Sequence, residues 1–136
     1  AEEADFKALE ESIDRTDQLT RTKHHSERRL QLLHFYRLVG KATRNEVMMI
    51  MVDAVTEIVL EILSRDGVAP RQDTVSAHRA IVREMRQRNA DGAAMLMKNH
   101  LLALHSHLFD ASMAASRASV SPPTSSASSS RRQTTR

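Results

Sequence analysis

Two histidines, His78 and His100, are the residues of this sequence whose type and spacing could do chemistry. They stand 22 positions apart, and each falls on the apolar stripe of its own predicted helix. An imidazole there can donate or accept a hydrogen bond, bind a metal ion, or carry a positive charge near neutral pH. If the two helices pack antiparallel, both rings point into one cavity, so the pair predicts a pocket. The alternative is that each is a core residue whose nitrogens bond a neighbouring hydroxyl or backbone carbonyl.

The composition indicates one small helical domain. The chain has 136 residues, of which 40% are hydrophobic but only 3% aromatic, with three glycines and three prolines. Its core must therefore consist largely of aliphatic side chains and methionines. The absence of cysteine excludes disulfides, thiolate metal sites and cysteine nucleophiles, and it fits a reducing compartment. No apolar run approaches the roughly 18 residues of a membrane-spanning helix, so we predict a cytoplasmic protein without membrane contact.

The net charge of +3 comes from the end of the chain. Residues 1–112 carry 16 Lys and Arg against 17 Asp and Glu, whereas residues 113–136 carry four arginines and no acid. A domain that bound nucleic acid itself would gather Lys and Arg on one face of a folded element. The folded part of this sequence has no such face, so we do not expect it to contact DNA directly.

The spacing of apolar residues predicts five helices and no strand. The helices are expected at residues 2–18, 27–42, 46–65, 73–88 and 90–109. Asn45 and Asn89 are the expected N-caps of the third and fifth helices, because an Asn side chain can accept a hydrogen bond from a free backbone N–H of the first turn. The third helix has a second apolar face that a neighbouring helix or a second subunit could cover, formed by Val47, Ile50 and Ala54.

The last part of the sequence differs from the rest in composition. From Ser112 onward, Ser, Thr, Ala, Pro and Arg dominate. So few apolar residues cannot offset the entropy that a chain loses on folding. We therefore predict a folded domain at residues 1–111 and a disordered tail at residues 112–136.

Three segments together resemble a known family. They are FYRLVGKATRNEVM (residues 35–48), HRAIVREM (residues 78–85) and MKNHL (residues 97–101). Their order and spacing are similar to those of the FadR C-terminal (FCD) domain of GntR-family bacterial transcription regulators. The resemblance implies an all-α antiparallel helical bundle that binds a small-molecule effector, often an organic acid, and forms a homodimer. It also implies that effector binding changes the packing of the bundle and thereby controls DNA binding by a winged helix-turn-helix domain.

In that family the FCD domain follows the winged helix-turn-helix domain, and its usual first helix precedes the part that corresponds to Glu2. Neither element is found in the 136 residues. We therefore expect the sequence to be a fragment of a longer regulator. DNA would then be a partner only through a domain outside this chain.

The resemblance also implies which residues form the site. Many FCD domains bind a divalent metal through the Asp and His of a D-x-x-x-H motif and through two later histidines. His78 and His100 match the later pair, but Leu32 stands at the Asp position and Tyr36 at the first His position. Because zinc usually takes four donors, we favour direct effector binding by Tyr36, His78 and His100. A divalent metal such as zinc or nickel, bound by His78 and His100, is the alternative.

The sequence is also compatible with two other classes of function. A metal-dependent helical enzyme would need a complete ligand set and a general base. No H-E-x-x-H motif occurs, and His34 lies about 200° around the helix from Tyr36. The acidic line of Asp53, Glu57 and Glu61 is predicted to be a solvated face. A purely structural dimerisation module would need no pocket at all. Because the resemblance implies effector binding and the ligand set of a metal enzyme is incomplete, we predict a regulatory domain and not an enzyme.

Overall fold

The computed structural model of the chain describes residues 1–22, 24–66 and 73–120, with side chains up to Glu61 in the second range. Within these ranges it contains five α-helices and no strand. They are α1 (Glu3–Thr20), α2 (His25–Ala42), α3 (Glu46–Asp66), α4 (Thr74–Arg86) and α5 (Ala90–Val120). The predicted all-helical fold is confirmed, and the predicted starts of α3 and α5 agree with the structure. None of these helices is both long and apolar enough to cross a membrane.

The helices form an antiparallel bundle that is nearly open on one side. α1 contacts α2 and α4, α2 also contacts α3, and α4 also contacts α5. α3 and α5 touch each other only over a short stretch. The order around the bundle is therefore α3, α2, α1, α4, α5, with the weakest contact between its two ends. Ion pairs show that α1 and α4 run antiparallel, because Arg86 binds Glu3 whereas Arg79 binds Asp14.

The core lies among α1, α2 and α4. Apolar residues three or four positions apart on α1 form a stripe that faces the other two helices. A capping box closes the first turn of α1, in which the Asp5 carboxylate accepts a hydrogen bond from the Glu2 backbone N–H at 2.7 Å. The central cluster of this core consists of Leu9 and Ile13 of α1, Phe35 of α2, and Val75 and Val82 of α4.

Two short turns of the same design lead from α2 to α3 and from α4 to α5. Arg44 and Arg88 have φ angles of 55° and 56°, in the left-handed region, and each follows the last turn of a helix. The next residue in both turns is an asparagine that caps the following helix, as predicted. The Oδ1 atoms of Asn45 and Asn89 accept hydrogen bonds from the N–H three residues later, at 3.2 and 3.1 Å. The second turn reverses the direction of the chain, so α5 packs along α4. It therefore sets the distance between His78 of α4 and His100 of α5.

α5 is longer than predicted. It continues to Val120, which corrects the prediction that a disordered tail begins at Ser112. Alanine is the best helix former, and no glycine or proline interrupts the run before Pro122. Adding residues to an existing helix costs little compared with starting one, so α5 extends past the apolar pattern. Residues 121–136, the rest of the predicted tail, lie outside the described residues.

The acidic line on α3 is exposed, as predicted, but it is not only solvated. Arg37 of α2 binds the Asp53 carboxylate through Nε at 3.1 Å and the Glu57 carboxylate through a terminal nitrogen. These contacts attach α3 to α2 at the surface. At the contact between the helices, Val52 lies 3.3 Å from the position that a Cβ on Gly40 would take, so the glycine permits their close approach.

Candidate effector site

Three polar side chains from three different helices meet inside the bundle. The Tyr36 Oη of α2 lies 2.8 Å from the Nε2 of His100 on α5. That nitrogen lies 3.3 Å from the Nε2 of His78 on α4. The sequence predicts a site formed by these three residues, and the structure brings all three together. The two histidines share one site although different helices carry them.

The position of the His78 ring is fixed by its neighbours. The ring stacks on Phe35, with centroids 3.7 Å apart and planes inclined by 9°. Both side chains are fully buried. Because Phe35 and Tyr36 are adjacent, one turn of α2 supplies the stacking surface for His78 and the hydroxyl group for His100. The sequence did not predict this contact of Phe35 with His78. The position of Phe35 next to Tyr36, in an apolar stripe of the helix, is the only feature of the sequence that could have indicated it.

The hydrogen bonds indicate where the protons of the cluster lie. The His78 Nδ1 is buried and has no hydrogen-bond partner among the described residues. Buried N–H groups without an acceptor are rarer in proteins than acceptors without a donor, so we assign the His78 proton to Nε2. The single lone pair of the His100 Nε2 then accepts the short hydrogen bond from the Tyr36 hydroxyl, and the His78 Nε2–H at 3.3 Å makes only a weak, shared contact with the same nitrogen. His100 carries its own proton on Nδ1.

Burial keeps all three side chains uncharged near neutral pH. Desolvation, together with the nearby His100, lowers the pKa of His78 from 6.5 to about 3. Burial also lowers the pKa of His100, although the Asp73 carboxylate acts in the opposite direction. The pKa of Tyr36 is raised by burial, so its phenol stays protonated. The cluster therefore offers hydrogen-bond donors and acceptors without a net charge.

Two cavities adjoin the cluster, and its members divide between them. Tyr36 lines an apolar groove of about 340 Å³ that is formed by α2, α3 and α5. His100 lines a second, more polar cavity of about 460 Å³ at the start of α4, together with Asp73 and Thr74. The hydrogen bond between Tyr36 and His100 thus lies in the wall between the two cavities. His78 lines neither of them, so it lies behind His100 and not at a cavity surface.

The apolar groove explains the inner face of α3. Met48, Val52, Val55 and Val59 of α3 are spaced three or four residues apart, which places them on one apolar face of the helix, and all four line the groove. The side chains opposite them belong to α5 and are Met97, Leu101 and Leu104. A groove with methionines in both walls can adapt to the shape of an apolar ligand, since the methionine side chain is unbranched and flexible.

The donor set does not fit a divalent metal. In the parts of the chain that the structure describes, no group of three or more His, Asp or Glu side chains could hold a metal ion. Leu32, at the position of the family's Asp, is a buried apolar side chain. His34 is exposed on another face of α2 and adds no donor. Two imidazoles leave zinc or nickel short of ligands, so we assign no metal to His78 and His100.

The chain is similar to a known protein family. A family model with the description FCD domain matches residues 1–103. The matched residues include α1 to α4, the first part of α5, and all three residues of the cluster. No curated protein and no solved structure matches the chain significantly.

Proposed function

The chain belongs to the FCD domain family, the effector-binding C-terminal domains of GntR-family regulators, and we propose that its effector is a small organic acid held by Tyr36 and His100. The FCD domain is a regulatory, ligand-binding domain and not a catalytic one. The proposal adds the class of ligand and the residues that bind it. One observation carries it: Tyr36, which lines the apolar groove, bonds through its hydroxyl group to the imidazole of His100, which lines the neighbouring cavity.

The groove and the cluster together favour an acid with an apolar body. A carboxylate accepts hydrogen bonds, which Tyr36 can donate at the groove wall and the adjacent His100 can donate once its Nε2 is protonated. The groove volume of about 340 Å³ lies at the small end of ligand pockets. Its walls are almost entirely aliphatic, so they suit a hydrocarbon and not a polyol or a sugar. We therefore favour a monocarboxylate with a short aliphatic or aromatic body over an acid with several charged groups.

Binding of such an acid would require Tyr36 and His100 to exchange partners. In the free domain the Tyr36 hydroxyl donates to the His100 Nε2, and in the complex it would donate to the effector carboxylate. The His100 Nε2 then lies beside a negative charge, which favours its protonation and a second hydrogen bond to the carboxylate. Affinity should therefore rise as the pH falls through the pKa that His100 has in the complex, and level off below its pKa in the free domain.

His78 belongs to the same proposed effector site, but it would act through His100. The stack on Phe35 holds the His78 ring, and the contact between the two Nε2 atoms then limits the orientations of His100. His78 is also too deeply buried to gain a proton when the effector binds. We therefore propose that His78 positions His100, while Tyr36 and His100 touch the ligand.

The regulatory step would be a change in the spacing of α3 and α5. These helices barely touch, so a ligand between them can alter their separation without disturbing the core. As physical chemistry requires, the effector must bind one arrangement more tightly than the other. We propose that the domain forms a homodimer in the cytoplasm and that this change reaches DNA through an attached winged helix-turn-helix domain.

Calorimetric titration with straight-chain and aromatic monocarboxylates of increasing length tests the proposed site. Tyr36→Phe and His100→Gln should each weaken binding about tenfold or more, which corresponds to the loss of one hydrogen bond to a charged group. His34→Gln and His105→Gln are matched controls, because these exposed histidines lie on the same two helices outside the cluster. Both controls should bind like the unmodified protein.

Unchanged affinity in both Tyr36→Phe and His100→Gln would refute the proposed site. If no carboxylate binds and no additive shifts the melting temperature, a purely structural dimerisation domain becomes the better interpretation. His78→Ala should weaken binding less than His100→Gln does, since its effect is indirect. A larger effect at His78 would instead show direct contact with the ligand.

A further inference from the structure

The cavity at the start of α4, which we call the polar cavity, takes no part in the function proposed above although it adjoins the apolar groove. Its volume of about 460 Å³ exceeds that of the groove. Leu104 of α5 lines both spaces, and the hydrogen bond between Tyr36 and His100 lies in the wall between them. A ligand group that separates Tyr36 from His100 therefore has the polar cavity on one side and the apolar groove on the other.

The wall of the polar cavity carries a negative charge. Asp73 lines this cavity together with Thr74 and Ser76 of α4. No Lys or Arg is among the described residues that line it. The N-terminus of a helix attracts anions with roughly half a positive charge, but the full charge of one carboxylate exceeds it. The polar cavity therefore favours a cationic group over an anion.

The charge of Asp73 also acts on the residue that would bind the effector carboxylate. Burial lowers the pKa of His100, whereas the Asp73 carboxylate raises it, so the two side chains interact electrostatically. The same Asp73 carboxylate would repel an effector carboxylate placed at His100. An acid without a positive charge therefore meets a like charge in this site. A cationic group of the ligand in the polar cavity would neutralise it.

We propose that the effector is an α-amino acid with an apolar side chain, whose ammonium group lies in the polar cavity beside Asp73. This assignment rests on the function proposed above, because it keeps the carboxylate at Tyr36 and His100. An α-amino acid carries a carboxylate, an ammonium group and a side chain on one carbon atom. The site has three corresponding parts, which are the separated Tyr36 and His100, the polar cavity and the apolar groove.

Charges and hydrogen bonds are balanced in this arrangement. The ligand carboxylate lies opposite the protonated His100, and the ligand ammonium group lies opposite Asp73. An ammonium group has three N–H donors, so it needs further acceptors. Thr74 and Ser76 line the same cavity, and their hydroxyl oxygens can accept hydrogen bonds. The Ser76 hydroxyl donates its own proton to the backbone carbonyl of Asp73 at 2.8 Å, which leaves its oxygen available as an acceptor.

Calorimetric titration with matched pairs of ligands tests the ammonium contact. Phenylalanine and 3-phenylpropanoate have the same carboxylate and hydrocarbon body and differ only in the amino group, and so do leucine and 4-methylpentanoate. The amino acid of each pair should bind about fivefold more tightly, the upper range for an ion pair with an exposed carboxylate such as Asp73. Equal affinities within both pairs, or tighter binding of the plain acids, would refute the proposal.

Asp73→Asn tests whether the charge of the polar cavity causes this preference. The change should weaken the binding of phenylalanine about fivefold, because it removes the ion pair. It should strengthen the binding of 3-phenylpropanoate, because it removes a repulsion. Damage to the fold would weaken both ligands, so the opposite signs identify the charge of Asp73. Weaker binding of both ligands, or of neither, would overturn the assignment.

The Asp73→Asn protein should remain folded, because the Asp73 side chain makes no capping hydrogen bond to α4. Circular dichroism of the variant checks this expectation. Asp110→Asn is the matched control, since Asp110 is an exposed residue of α5 that lines neither cavity. This control should bind both ligands like the unmodified protein.

The two enantiomers of phenylalanine provide an independent test. Only one of them can place the carboxylate, the ammonium group and the side chain in the three parts of the site at once. The other should lose the ion pair with Asp73 and bind about fivefold more weakly. Equal affinities of the two enantiomers would contradict the three-part arrangement.

These measurements distinguish a failure of this proposal from a failure of the proposed effector site. If 3-phenylpropanoate binds through Tyr36 and His100 but phenylalanine binds no more tightly, the effector site stands and the ammonium contact is wrong. If Tyr36→Phe and His100→Gln leave the affinity for both ligands unchanged, the effector site is wrong, and the amino acid proposal fails with it.

Discussion

The two sides of the bundle differ in which side chains they bury and which they leave in water. On the closed side, made by α1, α2 and α4, polar side chains are buried: His78 is 0%, Thr16 2% and Ser12 5% exposed. On the open side, made by α3 and α5, apolar side chains such as Ile50 remain in water. Buried polar groups restrict a core to one arrangement, whereas exposed apolar groups gain free energy from any fitting partner. The closed side therefore provides the fixed frame, and the open side the surface that can bind.

The cluster lies where the two sides meet. Tyr36 and His78 come from helices of the closed side, and His100 comes from α5 of the open side. A movement of α5 must therefore change the hydrogen bonds of a cluster whose other members are held by the core. This placement makes the cluster suited to couple ligand binding to helix spacing.

The largest expected difference between the two sides is in the cost of losing a large apolar side chain. Phe35→Ala on the closed side should lower the free energy of unfolding by about 3–5 kcal/mol, because it leaves a cavity and removes the stack on His78. Ile50→Ala on the open side should lower it by less than about 0.5 kcal/mol in dilute protein, where copies are apart. Urea denaturation measures both. Similar costs at the two positions would mean that the open side is part of the folding core.

The next effect concerns pH and comes mainly from the closed side, because burial shifts the pKa of His78 strongly, whereas His100 of the open side adds to the effect in the same direction. In the unfolded chain His78 takes up a proton near its ordinary pKa of 6.5, whereas in the folded domain its pKa is about 3. The unfolded state therefore binds more protons between these values, and stability falls as the pH decreases. For this one group, the free energy of unfolding should be roughly 2 kcal/mol lower at pH 5 than at pH 7. Urea denaturation at a series of pH values measures the slope.

Two variants locate the origin of that slope. His78→Gln should lose most of it, since glutamine does not titrate. His105→Gln should retain it, because His105 is exposed on the open side. A slope that is the same in all three proteins would show that His78 is not the group responsible.

A smaller effect is expected where the two sides join. Tyr36→Phe removes the hydroxyl that bonds His100 and keeps the aromatic ring. The free energy of unfolding should fall by about 1 kcal/mol, the usual net contribution of one hydrogen bond. The variant should unfold with the same dependence on urea as the parent, since little surface changes. A loss above about 3 kcal/mol would instead indicate that Tyr36 supports the core by packing.

The sequence predicts the closed side better than the open side. An apolar stripe such as Leu9 and Ile13 on α1 correctly predicts a buried face, because the residues that pack against it belong to the same chain. The spacing of His78 and His100, read with Tyr36 in the family motif, brings together the three residues that the structure places within hydrogen-bonding distance. The stacking on Phe35 could not be predicted, since it depends on the angle between α2 and α4.

On the open side the same periodicity is ambiguous. An apolar stripe looks alike whether its partner is a helix, a ligand or another copy, so the pattern of α3 does not reveal that Val47 and Ile50 lie in water. The length of α5 was underestimated for a related reason. Periodicity detects buried faces, and residues 112–120 form helix without burying one. Helix propensity, not packing, decides their structure.

The smallest expected effect is the loss of a surface ion pair on either side of the bundle. It tests whether ion pairs contribute more to stability on one side than on the other. Arg37→Met removes the contacts of α2 with Asp53 and Glu57 of α3, and Arg79→Met removes the pair with Asp14 on the closed side. All of these groups are largely exposed, so each change should lower the free energy of unfolding by less than about 1 kcal/mol. The loss should shrink further in high salt, which screens surface charges. Arg37→Met could instead lower the free energy of unfolding far more than Arg79→Met does. In that case the ion pairs of Arg37 keep α3 packed on α2, and the close contact of Val52 with Gly40 contributes less than its geometry indicates.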